Sequence, residues 1–354
     1  MMLKTPLLAL LVLVSASQTA AAQAAQQPPV PSSLGREYVK PHQLVDVDRG
    51  RKINLFCIGN GPTTVLFDSG LSDWSNTWVL IQPEIAQSAR ACSYDRAGMG
   101  YSDPAPNART PLALVSDIHA LVEAAKIDGP IVLVGHSLGG FNVKLYSALY
   151  PERVAGLVLV DPSEERLYER GAAALQAKFG ARVTSKLELA DRALIGMLVD
   201  RFDQCAAKAA EADLDPASIG YKRCTDPVRP QLGPDIVAER PNVQKKAAYQ
   251  AAQASELSNS VFADKTGDAA YARLFTRHML GNKPLIVLTH GNYDAEDPEA
   301  VADNFLINRL HAETAALSRR GTHRVVPNTN HNIQVEDPQA IIQAIRDVLL
   351  AAAI

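Results

Sequence analysis

Near the middle of the chain, Gly135-His136-Ser137-Leu138-Gly139 sets a serine between glycines in the pattern G-x-S-x-G. It directly follows an apolar run, 131–134, and directly precedes residues with helical spacing, 138–150. A tight strand-to-helix turn of this kind strains the serine backbone and lifts its hydroxyl above the sheet, while the glycines keep neighbouring side chains clear. Ser137 then stands at a helix N-terminus, where free amides and the helix dipole favour developing negative charge. A hydroxyl is a poor nucleophile near neutral pH. Nucleophilic chemistry therefore needs an imidazole within hydrogen-bond reach, to take the proton and later return it to the leaving group. Eight histidines are available.

The elements that must position these groups are short apolar runs alternating with helical periods. Residues 43–47 and 52–58 read as a hairpin that turns at Asp48, Arg49 and Gly50. Runs at 64–67, 90–94, 131–134, 154–160, 284–289 and 323–326 have the character of buried strands. Between them, Thr110 can cap a helix with Pro111 at its first position, in which Leu114, Val115, Ile118, Leu121 and Val122 share one face. Residues 338–352 behave similarly. The alternation predicts an α/β fold with a mostly parallel, doubly wound sheet, in which ligands bind beyond the carboxyl ends of the strands. Residues 163–282 break the pattern, being rich in Ala and charge with helical spacing and no convincing strand. They read as a helical lid inserted between two late core strands. The core is then 43–162 together with 283–354.

The elbow, Tyr94-Asp95-Arg96-Ala97-Gly98 after the preceding strand, and the late Asn330-His331-Asn332 resemble the α/β-hydrolase superfamily, in particular its serine esterase and lipase-like members. The resemblance runs from about residue 43 onward, more loosely through the insertion. It implies Ser137 as nucleophile and His331, between the last predicted strand and the last helix, as general base. Asp68-Ser69-Gly70-Leu71 is similar to the family's loop that supplies one oxyanion donor, which implies the amides of Leu71 and Leu138 as the oxyanion hole. Ser69 stands where the family often has His, and Asn330 where it usually has Gly. Two carboxylates compete to orient the imidazole. Asp294, in Gly291-Asn292-Tyr293-Asp294, resembles the common acid position, and Asp161 at the end of 154–160 resembles an alternative one. Position after the strand favours Asp294. Asp95 and Arg96 read as a structural ion pair or loop brace. His136 is locked in the elbow, and the remaining histidines, His290 among them, read as packing or surface residues.

The N-terminus carries Lys4, an apolar run over 6–14, and small residues around Ala22 and Ala24. This reads as a signal peptide over 1–24, because the apolar run is well short of the roughly 20 residues that span a bilayer core. A flexible lead-in rich in Gln and Pro over 25–42 follows. The expectation is an exported protein, periplasmic or secreted, without a stable membrane anchor. Four cysteines in an oxidising compartment pair most simply as Cys57 with Cys92 and Cys205 with Cys224. No C-x-x-C or Cys/His cluster suggests a metal.

Lys and Arg number 35 against 38 for Asp and Glu, a balance that leaves no electrostatic footprint for nucleic acid. A small-molecule ester is the expected substrate, cleaved by a serine hydrolase through an acyl-enzyme on Ser137 with no cofactor required. Amide or thioester hydrolysis uses the same groups, and a non-catalytic ligand-binding protein on the same fold is the alternative from another class. Members of the superfamily with dehalogenase or epoxide hydrolase chemistry carry an Asp nucleophile, so Ser137 argues against both.

Overall fold

The structure is a computed structural model that describes residues 32–262, 271 and 273–353. The expected signal peptide over 1–24 lies outside the described residues, as does the first part of the lead-in. Eight strands form one sheet: β1 (Gln43–Asp48), β2 (Arg51–Ile58), β3 (Thr64–Asp68), β4 (Arg90–Tyr94), β5 (Ile131–His136), β6 (Val154–Val160), β7 (Leu285–His290) and β8 (Gly321–Val326). They lie in the order β1-β2-β4-β3-β5-β6-β7-β8. The β1–β2 hairpin and the β2–β4 pairing are antiparallel, and every other pairing is parallel.

Every residue of β3, β5 and β7 is buried, as helices on both faces require. Alternate side chains feed two cores. Leu66, Leu133, Leu157 and Val287 join Ile118 and Leu121 of α1 (Pro111–Ala124) and Phe141 of α2 (Leu138–Leu149) on one face. Val65, Val134, Val158 and Leu288 meet Trp78 and the C-terminal helix Pro338–Ala352 through Ile341, Ile345 and Val348 on the other. Each such aliphatic side chain contributes about 1.5–3 kcal/mol by leaving water. Thr110 caps α1, its Oγ1 accepting from the Ala113 amide at 3.3 Å, with Pro111 in the first turn.

From β3 the chain crosses to β4 on one side and returns to β5 on the other, so the strand order reverses between β3 and β5. A crevice opens at the carboxyl ends of strands at such a reversal. Over it, between β6 and β7, lie α3 (Leu167–Glu211, broken at Gly180), α4 (Ile219–Arg223), α5 (Pro234–Gln244) and α6 (Ala247–Asn259), with no strand among the described residues. Leu198 and Phe202 of α3 and Leu257 of α6 pack together with Leu71 of the loop after β3. The helices α7 (Pro298–Ala315) and α8 (Pro338–Ala352) complete the core.

Cys57 and Cys92 face each other across β2 and β4 and are bridged, their Cα atoms 4.0 Å apart. A second disulfide ties Cys205 of α3 to Cys224. The lead-in differs from the flexible segment expected. Residues Ser32–Gly35 and Arg36–Val39 form helical turns, because Tyr38 is an anchor that composition does not reveal. Its buried ring packs on Phe56, Leu232 and Ile236, and its hydroxyl donates to Gln82 Oε1 at 3.0 Å.

Candidate active site

Ser137 joins β5 to α2 with φ 52° and ψ −118°, a left-handed turn that costs a non-glycine residue about 1–3 kcal/mol. Its neighbours explain why the turn needs glycine on either side. A Cβ on Gly135 would lie 2.4 Å from the Gly139 carbonyl oxygen, and one on Gly139 would lie 2.3 Å from that of Asp68. The start of α2 is thereby pressed against the end of β3. The Ser137 amide donates to Val160 O at 3.0 Å and the Ser163 amide to Ser137 O at 3.0 Å, which pins the elbow to the end of β6.

Immediately after β6, Asp161 also takes a left-handed conformation, with φ 44°. Its buried carboxylate meets two imidazoles: His331 Nδ1 lies 2.6 Å and His290 Nδ1 2.8 Å from the same oxygen, Oδ2. The other oxygen, Oδ1, accepts the His290 backbone amide at 3.2 Å. Burial alone would raise the Asp161 carboxyl, but the hydrogen bonds and charges of His290 and His331 outweigh it and hold the group well below the usual carboxylate range. With Nδ1 donating to Asp161, His331 keeps the lone pair of Nε2 for a proton.

His136 supports His331 from behind. Burial, reinforced by the neighbouring His331, pushes its imidazole down to about 3, so it is neutral. In that form Nε2–H donates to the His331 carbonyl at 2.9 Å, and Nδ1 accepts from Gln334 Nε2 at 3.3 Å. Ser137 and His331 face a common cavity of about 340 Å³, whose walls include Leu71, Phe202, Arg229 and Phe262. Ser163 Oγ lies 3.5 Å from the Ser137 hydroxyl.

Leu138 is the first residue of α2, so its amide has no acceptor within the helix. Leu71 lines the cavity opposite, next to Gly70, where a Cβ would come within 2.7 Å of His136 Nδ1. The loop that carries Leu71 is braced by Arg96, which does not pair with Asp95. Arg96 donates to the Ser69 carbonyl at 2.5 Å, to the Gly70 carbonyl at 2.7 Å and to Asp68 Oδ1 at 2.9 Å. Its other side grips Glu256 of α6 at 2.7 and 2.8 Å. Ser69 is held by the Trp78 indole N–H at 3.0 Å. Asp73, farther along the loop, pairs with Arg229 at 2.6 Å and Arg240 at 2.9 Å. Burial opposes ionisation there, but the two guanidinium charges hold Asp73 down to about 2.

The structure thus brings Ser137, His331, Asp161, Leu71 and Leu138 to one end of the sheet, and leaves Asp294 apart. Asp294 is exposed, and its Oδ1 accepts the Glu296 amide at 2.9 Å. Position along the chain favoured Asp294, but its side chain closes a local turn of its own, while the left-handed backbone of Asp161 aims the carboxyl toward His331. His290, expected among the packing or surface residues, is buried and bonded to Asp161. Its sequence signal was its place at the end of β7, beside the end of β6. The Arg229 and Arg240 contacts had no signal, since they join residues more than 150 positions apart.

The profile of the alpha/beta hydrolase fold family matches residues 63–338. The chain belongs to that family. An AB hydrolase superfamily protein of Gibberella zeae is 22% identical to this α/β-hydrolase over 86% of the chain and 94% of the relative. Other curated relatives match over less of their length, as with an uncharacterized Bacillus subtilis protein, 30% identical over 30% of this chain and 42% of its own. Among solved structures, an esterase from Thermogutta terrifontis superposes with a TM-score of 0.54 at 19% identity, covering 87% of this chain and 97% of that one. The enol-lactonase from Burkholderia xenovorans superposes with a TM-score of 0.52 at 17% identity, covering 88% and 100%. At these identities the likeness is one of fold.

Proposed function

We propose that this α/β-hydrolase is an exported serine hydrolase that cleaves carboxylic esters through an acyl-enzyme. The observation that carries the reading is the 2.6 Å contact between His331 Nδ1 and Asp161 Oδ2, beside a serine in the left-handed elbow. Ser137 Oγ attacks the ester carbonyl carbon as His331 Nε2 takes its proton. The oxyanion is received by the amides of Leu71 and Leu138, and Asp161 stabilises the imidazolium. The tetrahedral species collapses by breaking the bond to the alcohol oxygen, which leaves with the proton from His331. Water then adds to the acyl-enzyme, giving one proton to His331, which returns it to Ser137 as the acid departs. The esterase and lactonase names carried by structural neighbours agree with this class. Two disulfides support export, and no described helix is long and apolar enough to cross a membrane.

A fluorophosphonate probe, followed by peptide mapping, tests the reading. The label is expected on Ser137 alone, together with loss of 4-nitrophenyl ester turnover in a folded Ser137→Ala variant. An unlabelled wild-type protein, or a Ser137→Ala variant that keeps its turnover, refutes the mechanism, and the former result favours a binding protein.

A further inference from the structure

Asp161 has two imidazole partners where orienting a base requires one. His331 reaches only Oδ2, whereas His290 holds both oxygens, Nδ1 on Oδ2 at 2.8 Å and its backbone amide on Oδ1 at 3.2 Å. A carboxylate held at both oxygens by one residue cannot swivel, so the direction it offers His331 is set by the end of β7. We propose that His290 is a positioning residue of this site, fixing the plane of the Asp161 carboxylate and sharing the oxygen that faces His331. The proposal rests on the reading of His331 as the general base.

The surroundings of His290 support a charge-sharing role. The ring is largely buried, and burial alone would favour the neutral form. The hydrogen bond and charge of Asp161 outweigh that, helped by Asp303 on α7 and Glu336 beyond the base, and raise the imidazole above 6.5. The other titratable groups at this end are His331 itself, His136, and His311 and His323 behind Thr289, and burial pushes the imidazoles of His136, His311 and His323 down. When protonated, His290 draws on the same Oδ2 that faces His331, so less of the carboxylate's charge is left for His331. Without His290 the whole charge of Asp161 acts on His331, which then takes up a proton at higher pH.

The test separates this proposal from the catalytic reading by using a readout that needs no turnover. In the Ser137→Ala protein, the titration of His331 is followed by ¹⁵N-histidine NMR with residue 290 as His, Leu or Asn. Neither Leu nor Asn at 290 can carry a proton there, and each is expected to move the His331 midpoint up by roughly 0.5–1 pH unit. In the protein with Ser137, the acid limb of kcat/KM should move by the same amount. His290→Leu should also lower plateau kcat about tenfold with little change in KM, and His290→Asn, whose amide still donates to Asp161, should recover most of that loss. Unchanged His331 midpoints in folded variants overturn the proposal, as does an Asn variant no better than Leu. If Leu at 290 prevents folding, the Asn variant carries the midpoint test alone. Absence of ester turnover in the wild type would sink the catalytic reading and leave the NMR arm intact.

Discussion

At the residue scale, the site depends on which carboxylate points at His331. Asp161 lies 2.6 Å from its Nδ1, and Asp294 is exposed in a turn of its own. Asp161→Asn should therefore lower kcat by roughly 10³–10⁴, as expected when the imidazole loses its charge partner and preferred tautomer. Asp294→Asn should cost less than about threefold, in line with other exposed sites away from the chemistry. Both are measured on the same ester after near-UV circular dichroism has shown each variant folded. The reverse ranking would return the role to Asp294. Ser137 was legible in the sequence because its turn is local, specified by the residues on either side. The carboxylate that meets His331 was not, because two strand ends offered one and only the backbone angles at Asp161 decide which one turns inward.

At the element scale, buried guanidinium groups join the lid helices to the loop after β3, Arg240 through Asp73 and Arg96 through the carbonyls beside Leu71. Arg96 spans from the Ser69 and Gly70 carbonyls to Glu256 of α6, and all these residues are buried. Replacing Arg96 by Met would leave Glu256 buried without its cation, a loss of about 3–5 kcal/mol in denaturant unfolding, with a lower kcat as the Leu71 loop loosens. Glu256→Gln should cost markedly less, since Gln still offers an acceptor and carries no charge to strand. Equal costs for the two variants would mean that the ion pair is not what couples lid and loop. The strands and the helices α1 and α8 could be read in advance from apolar period and capping residues. The Arg96–Glu256 bond joins positions 160 apart, and no local pattern announces it.

At the scale of the whole molecule, one of the two disulfides reinforces the pairing that holds the hairpin β1–β2 to the rest. The Cys57–Cys92 bridge closes a separation of 35 residues and ties the antiparallel edge to the parallel core. By chain entropy such a closure is worth about 2–4 kcal/mol, so a Cys57→Ala/Cys92→Ala protein should unfold at correspondingly lower denaturant. Non-reducing peptide maps of the wild type should keep the Cys57 and Cys92 fragments joined. Free thiols at both positions would count against the bridge and against an oxidising compartment.

What the sequence determined by itself was whatever depends on neighbours in the chain. Strand and helix follow from the period of apolar residues, the elbow from glycines around Ser137, and the pairing of Cys57 with Cys92 from the two strands that carry them. The tertiary structure decided what depends on side chains that meet from distant elements. Asp161 and His290 touch because β6 and β7 are adjacent and end together, and His331 joins them from the loop after β8. Tyr38 anchors a lead-in whose composition suggested flexibility, because a complementary surface at Phe56 and Ile236 awaits it. Period and turn chemistry are properties of a few consecutive residues, whereas a carboxylate's partner is chosen by packing and by the direction in which the backbone aims it.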